Sequence, residues 1–519
     1  FERAMSEIPE GMAALDTSPS EARPSASLML TRDGPKGVEV SLARRVENLP
    51  AFPGYWAFPG GGISRVDRES VSLIQSLGEM PDSIEAATHA GMHRELLEEM
   101  GLCIPSAGRL EPVDSELRNK VLKDKSEWMK LVKSGDLPFA EKALIELTRR
   151  TTPEFAALRF ENRFMFMHCT GDIPEPVLED QTEFDVFRWD RPETLLEEWN
   201  EHQIKLPPPL VTILQEFVEM IPNFDDVQEL AKDMARRSPE EKTILFASGV
   251  ECIPVPTATL PPATTTNSYL IGNPGGEHIL VDPAIRTDEG KEKIAAALKR
   301  MEDSGGSLIA YLFTHRHIDH LGDIEMLKSL SDAEFWASHE TAVALSGNIN
   351  RIIMDADIIV LSHPGGAVMW NALVTPGHCP GHVCLLNDAG LVAGDMVAGI
   401  GTILIPPSEG MMEVYIEQLK RLLRIDPHLI FPSHGPVIPL PQKVINHYIE
   451  HRQARHDKVL KILQSGQMEL SAIAREAYAN TPQAHPMLAR QQTLSHLLAW
   501  QRQGKVSSDG DNWMIVGGE

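Results

Sequence analysis

Cysteine is scarce in this chain. Five occur in 519 residues (Cys103, Cys169, Cys252, Cys379 and Cys384), odd in number and scattered. That argues against a disulfide framework and for a reducing compartment, so a cytoplasmic location is expected. Long apolar runs are missing too: no stretch approaches the ~20 residues that cross a bilayer, so no membrane partner is expected. The opening Phe1-Glu-Arg-Ala-Met5 lacks the charged-then-apolar pattern of a secretory signal, and Met5 is the expected natural start. Positive charge is also in short supply. Lys and Arg number 48 against 74 Asp and Glu, a net charge of −26, which disfavours loose binding to nucleic acid or anionic membrane but leaves room for a basic groove. No internal repeat is found.

What is present is ordinary globular material, 42% hydrophobic and 24% charged, in a chain too long for one core. Composition and pattern divide it into a polar, disordered leader (1–24), a first α/β domain (25–222), a linker (223–245), a second α/β domain (246–445) and a helical C-terminal domain (446–519). The most informative stretch is Thr314-His-Arg-His-Ile-Asp-His320, directly after the apolar run Leu308–Phe313, which reads as a buried strand. His315 and His317, two apart, leave a strand end on one side. Asp319 and His320 follow where a helix is expected to begin. Four nitrogen and oxygen donors in six residues suit two adjacent metal ions, zinc first, with iron or manganese as alternatives.

Three later pieces end strands or turns with further donors: Thr375-Pro-Gly-His378-Cys-Pro-Gly-His382, Leu391-Val-Ala-Gly-Asp395 and Leu429-Ile-Phe-Pro-Ser-His434. Chemistry in α/β folds gathers at such strand-to-loop junctions. In order, H-x-H-x-D-H, H, D and H, these motifs resemble the metallo-β-lactamase superfamily, whose fold is an αββα sandwich. The resemblance implies that His315, His317 and His378 hold one metal. Asp319, His320 and His434 would hold the second, and Asp395 would bridge them. It further implies a bridging hydroxide as nucleophile, with Asp319 orienting it or passing on its proton. His382 is expected either as a proton donor or as a support for the ligands. Cys379 and Cys384 are expected to be structural.

In the first domain, Trp56-Ala-Phe-Pro-Gly-Gly-Gly-Ile63 is a glycine-rich turn, and Arg94-Glu-Leu-Leu-Glu-Glu-Met-Gly-Leu102 places Glu95, Glu98 and Glu99 on one helix face. Three clustered carboxylates repel unless a cation sits among them, and an all-oxygen set suits Mg²⁺. These features resemble the Nudix hydrolases, an α/β/α fold whose box runs G-x5-E-x7-R-E-U-x-E-E-x-G-U, with U apolar. Arg94–Leu102 matches every specified position. Counting back puts the early glutamate at Ala86 and the glycine at Met80, so an insertion is expected inside the box. Downstream text resembles the coenzyme A diphosphatase branch. Both an active unit and one that binds a nucleotide without turnover fit.

After His434, three helices (448–464, 468–477 and 489–503) and a hairpin turning at Asp509-Gly510 resemble a winged helix. This arrangement follows the metallo-β-lactamase-like unit in a branch that includes an endoribonuclease of single-stranded RNA. From Ile445 onward eight Lys and Arg face seven Asp and Glu, a near-neutral module. It reads as a packing or homodimerisation module or as a nucleic-acid guide. Three functions follow: a phosphodiesterase or endoribonuclease on single-stranded RNA, an ester or acyl-thioester hydrolase on a small molecule such as a coenzyme A derivative, or a non-enzymatic scaffold or sensor in which the Nudix-like unit binds a nucleotide and regulates the hydrolase.

Overall fold

The computed structural model describes residues 20–71, 83–156, 158–178, 183–237, 243–345, 348–481 and 484–516. Most of the expected 1–24 leader, and five residues of the expected linker, lie outside them. Among the described residues no helix is long and apolar enough to cross a membrane. The described chain forms two compact units, residues 20–153 with 158–248, and residues 249–519 with 154–157.

The first unit is built on one mixed sheet. Strand Arg23–Gly34 lies at its centre, parallel to Phe160–Cys169 and antiparallel to Gly37–Arg45. The run Leu28-Met-Leu30 is apolar at consecutive positions because this strand is covered on both faces. Leu28 and Leu30 pack with Met92, Leu96 and Met100 of helix Ser83–Met100. Met29 points the other way, into a core with Leu210, Ile213 and Phe217 of helix Pro208–Met220. Gly101, at φ 67°, ends the first helix where a left-handed residue is required. Gly60–Gly62 pairs with Ser25–Ser27 on the central strand. A Cβ at Gly60 would meet the Ala26 carbonyl oxygen at 2.2 Å, so no larger residue fits.

The second unit carries two sheets. One runs in the order Val250–Pro256, Thr265–Ile271, Glu277–Val281, Ser307–Leu312, Glu334–Ala337 and Arg351–Ile352. Helix Asp288–Asp303 contributes Ile294, Ala297 and Met301 to that sheet's core. The other sheet runs Ile358–His363, Gly366–Val374, Val383–Asn387, Gly390–Gly394 and Ile430–Pro432. It is covered by helix Met412–Ile425 through Tyr415, Ile416 and Leu419. The sheets meet where their strands end: Val383 N–H donates to the Thr314 carbonyl at 2.8 Å, and Tyr269 Oη donates to the Pro432 carbonyl at 2.7 Å. The chain closes with helices Pro441–Ile462, Leu470–Ala477 and Pro486–Arg502 and a small sheet of Met468–Glu469, Asn512–Ile515 and Val506–Asp509. Val459, Ile473, Leu497, Trp500 and Trp513 form its core.

Candidate metal centre

All seven donors expected in the second unit come together where the two sheets meet, each delivered by the end of a strand or a tight turn. His315 and His317 follow strand Ser307–Leu312, and Asp319 and His320 lie on the one-turn helix Ile318–Leu321. His378 follows Gly366–Val374, Asp395 follows Gly390–Gly394, and His434 follows Ile430–Pro432. All seven are buried. His317 Nδ1 lies 2.9 Å from His315 Nε2 and 2.8 Å from His378 Nε2. Asp319, His320 and His434 form a second convergent set. Asp395 reaches both, with Oδ2 3.5 Å from His378 Nε2 and Oδ1 3.6 and 3.5 Å from His320 and His434 Nε2.

The outward nitrogens of these rings settle which tautomer each adopts. His378 Nδ1 donates to the Leu404 carbonyl at 2.8 Å and His434 Nδ1 to the Thr265 carbonyl at 3.0 Å. His320 Nδ1 donates to Asp282 Oδ2 at 2.9 Å, and His317 Nε2 to Glu409 Oε1 at 2.8 Å. Thr314 Oγ1 gives its proton to Asp282 Oδ2, so it accepts from His315 Nδ1 at 2.9 Å. Every neutral ring therefore turns a lone pair inward. Converging lone pairs repel one another unless a cation lies between them, and imidazole with carboxylate is a donor set for a divalent transition metal. His320 Nε2 and Asp395 Oδ1 are buried polar atoms with no hydrogen-bond partner among the described residues, as such a site requires.

Electrostatics divide the cluster in the same way. Burial, reinforced by the neighbouring imidazoles, drives His315 well below its ordinary pKa, and burial with His317 beside it lowers His378 to about 4. Burial also opposes charge on His320, but the carboxylates of Asp319, Asp395 and Asp282 outweigh it and hold its pKa well above the usual value. Burial would raise Asp395, yet His434 and His320 pull its carboxyl well below the ordinary range. The carboxylates thus call for positive charge beside them.

His382 is buried, and both its ring nitrogens are engaged. Nε2 accepts from Asp395 N–H at 3.0 Å, which leaves Nδ1–H facing Thr375 Oγ1 at 2.8 Å. Of the two roles expected for it, these bonds fit support of the Asp395 backbone. Three contributors were not expected from the sequence: Thr314, Asp282 and Glu409. Asp282 ends strand Glu277–Val281 at φ 47°, a left-handed conformation Asp tolerates, and also accepts from Thr314 N–H at 2.7 Å. An Asp-Pro pair closing an apolar strand was the available signal. Glu409 gave none, being 92 residues from His317. Cys379 lies within the first convergent set, its Sγ among the ring nitrogens, and Cys384 is buried, with burial pushing its thiol up to about 12.

In the first unit, Glu95, Glu98 and Glu99 also share one buried face, and cationic side chains meet part of its charge. Arg94 is fully buried and pairs with Glu95 at 2.8 Å and Glu98 at 2.9 Å, and Lys125 adds a contact to Glu98 at 3.1 Å. Glu99 accepts from Gly60 N–H at 2.8 Å, and burial with Glu95 nearby raises its pKa well above the usual range. The counted-back box register needs correcting. Ala86 faces an apolar core with Trp128 and Val121, and Met80 lies outside the described residues. The carboxylate that meets Arg94 is Asp67, with two bonds of 2.8 Å. Asp67 stands six residues after Gly61, the spacing of glycine and glutamate in the box, with Asp in place of Glu.

The Metallo-beta-lactamase superfamily profile matches residues 261–434. The "Beta-lactamase-like protein 2 homolog" of Drosophila melanogaster is 30% identical over 267 residues, spanning 48% of this chain and 88% of that protein. An "Atrochrysone carboxyl ACP thioesterase" of Aspergillus fumigatus is 29% identical over 209 residues, 39% of this chain and 61% of that one. Among solved structures, a NUDIX hydrolase from Alicyclobacillus acidocaldarius is similar at 21% identity and a TM-score of 0.35, covering 41% of this chain and 97% of that one. The chain belongs to the metallo-beta-lactamase superfamily and is a metal-dependent hydrolase.

Proposed function

We propose that residues 246–445 hydrolyse an acyl thioester or related ester of a small molecule. In this reading His315, His317 and His378 hold one divalent cation, Asp319, His320 and His434 hold a second, and Asp395 spans both; zinc is the cation that suits the donors best. Such a pair would polarise the scissile carbonyl and ionise water near neutral pH. The chain's own residues do the rest. A water oxygen bonds to the acyl carbon, the C–S bond breaks, and the water proton passes to an Asp319 carboxylate oxygen. The thiolate departs and takes up, through solvent, the proton that Asp319 received, which restores the carboxylate. Asp282 and Glu409 keep His320 and His317 in the tautomers that leave lone pairs inward.

The observation that carries the thioester over RNA is the charge around the ligands. The one arginine inside the H-x-H-x-D-H motif, Arg316, is held by Glu409 at 2.8 Å and is not free for a phosphate. Relatives that carry the name thioesterase add support. Residues 25–222 we take as a Nudix-like unit whose Glu95, Glu98 and Glu99 hold Mg²⁺ and which takes a nucleoside-diphosphate ligand. Residues 223–245 serve as linker, and residues 446–519 as a winged-helix-like module.

The test is a panel of acyl-coenzyme A thioesters, followed by thiol trapping, run beside unstructured single-stranded RNA with the zinc-loaded protein. Thioester turnover that disappears in His315→Ala is expected. RNA cleavage without thioester turnover would replace this reading with the phosphodiesterase one.

A further inference from the structure

The two halves of the cluster are held in place by different parts of the chain. Outer bonds of the second set run to the sheet scaffold: His320 to Asp282 and His434 to the Thr265 carbonyl. Two rings of the first set depend instead on the 402–410 loop. His378 Nδ1 donates to Leu404 O, and His317 Nε2 donates to Glu409. That loop has almost no regular structure of its own, so its position must come from what it leans on.

Ile403 and Ile405 pack into the core beneath the second sheet, and the loop's polar backbone leans on the C-terminal module. Gln492, on helix Pro486–Arg502, clamps Ile405 from both sides: Oε1 accepts its N–H at 3.3 Å and Nε2 donates to its carbonyl at 3.0 Å. Ser495 Oγ, one turn on, donates to the same carbonyl at 2.6 Å. Buried Arg452, on helix Pro441–Ile462, donates to Gln492 Oε1 at 2.8 Å, to Thr402 Oγ1 at 3.1 Å and to the Ile403 carbonyl. Gln492 and Ser495 are themselves buried, where unsatisfied amides and hydroxyls are costly, so these bonds fix the loop and do not merely decorate it. Ile405 is the residue next to Leu404. Helix Pro441–Ile462 also touches the other side of the centre, since Tyr448 Oη accepts from Ala398 N–H at 3.1 Å, so Gln492 and Ser495 are the selective contacts.

We propose that Gln492 and Ser495 are positioning residues for the His315–His317–His378 half of the centre alone, acting through the 402–410 loop on His378 and His317. The C-terminal module thereby sets the affinity of one cation of the pair, whatever else it binds. This rests on the metal assignment made above.

Half-site proteins separate the two cations. His434→Ala keeps only the first set and His378→Ala only the second. Zinc affinity is measured on each full-length half-site protein by chelator competition, with and without Gln492→Leu, which removes the clamp while keeping the volume. Outer-sphere partners typically affect affinity about 10–100-fold. Gln492→Leu should therefore weaken zinc at least about tenfold in the His434→Ala background and by less than about twofold in His378→Ala. Ser495→Ala should act in the same direction with a smaller size and serves if Gln492→Leu folds poorly. Equal weakening in both backgrounds, or none in either, would overturn the proposal while the metal assignment stands. Failure of the wild-type protein to bind zinc at all would overturn both.

Discussion

Each unit of this chain gathers acidic and cationic or imidazole groups around one point, yet the two clusters balance their charge in opposite ways. In the first unit the carboxylates of Asp67, Glu95 and Glu98 are already met by the buried guanidinium of Arg94. In the second, five imidazole rings and two carboxylates converge, and the arginine within the motif, Arg316, is turned away to Glu409, so the carboxylates raise the pKa of His320 instead. The first cluster can therefore hold its shape by internal ion pairing. In the proposed reading the second takes its remaining positive charge from outside the chain, from the cations its inward-facing donors would hold. A count of acidic residues does not distinguish these cases; the position of one arginine does.

The largest effect that would sharpen this contrast is on turnover. Loss of a direct ligand should exceed the roughly hundredfold ceiling usual for outer-sphere partners, so His315→Ala should lower kcat/KM for the hydrolysed thioester by more than about 100-fold. Glu95→Gln, made in the other cluster, should change the same constant by less than about twofold. Steady-state assays of both variants decide it, and similar losses would dissolve the distinction between the clusters.

Next in size is stability. Asp67→Ala leaves Arg94 buried without its two-bond partner, and breaking a buried pair costs about 3 kcal/mol. Denaturant unfolding of the full chain should show the transition that belongs to the first unit shifted by that amount. The second unit's transition should stay in place.

The histidines extend the comparison to pH. In the second unit each of the five candidate ligand rings has a nitrogen tied to a carbonyl, carboxylate or hydroxyl. In the first, burial holds His89 at about 4 and His93, packed on Phe139 at 4.3 Å, at about 3. Both folded-state values lie below the unfolded one, near 6.5, so the unfolded state binds the proton first. Their contribution is intact above pH 6.5 and falls as pH drops below it, by about 2 kcal/mol each at pH 5. His93→Leu should lessen the first unit's loss of stability between pH 6.5 and pH 5 by about 2 kcal/mol. The smallest expected effect concerns Cys379, which lies among the first set of nitrogens. Since that set is complete without it, Cys379→Ala should alter zinc affinity by less than about twofold in chelator competition.

Much of this was readable before any coordinates. The apolar run before Thr314 announced a buried strand, and the spacing within His315–His320 required its donors to emerge together. The Pro-Gly turn before His378 and the strand ends before Asp395 and His434 marked the remaining corners. Those features are local, and local patterns survive in sequence. What stayed hidden depends on tertiary approach. Glu409 meets His317 from a loop 92 residues away, and Gln492 grips that loop from 87 residues further along the chain than Ile405. Asp67 is obscured for a different reason: it lies 27 residues from Arg94 in sequence and meets it only in the fold. His382 shows the limit from the other side. Its sequence position suited either chemistry or support, and only the bonds at both nitrogens distinguish them.

The claim on which the rest depends is that residues 249–519 require two divalent cations. Elemental analysis of the purified full-length protein, after equilibration with zinc and removal of excess, tests it directly. Two zinc ions per chain are predicted for the wild type, with at most one retained by His378→Ala. A wild-type chain that retains none, or a His378→Ala protein that still holds two, would contradict it.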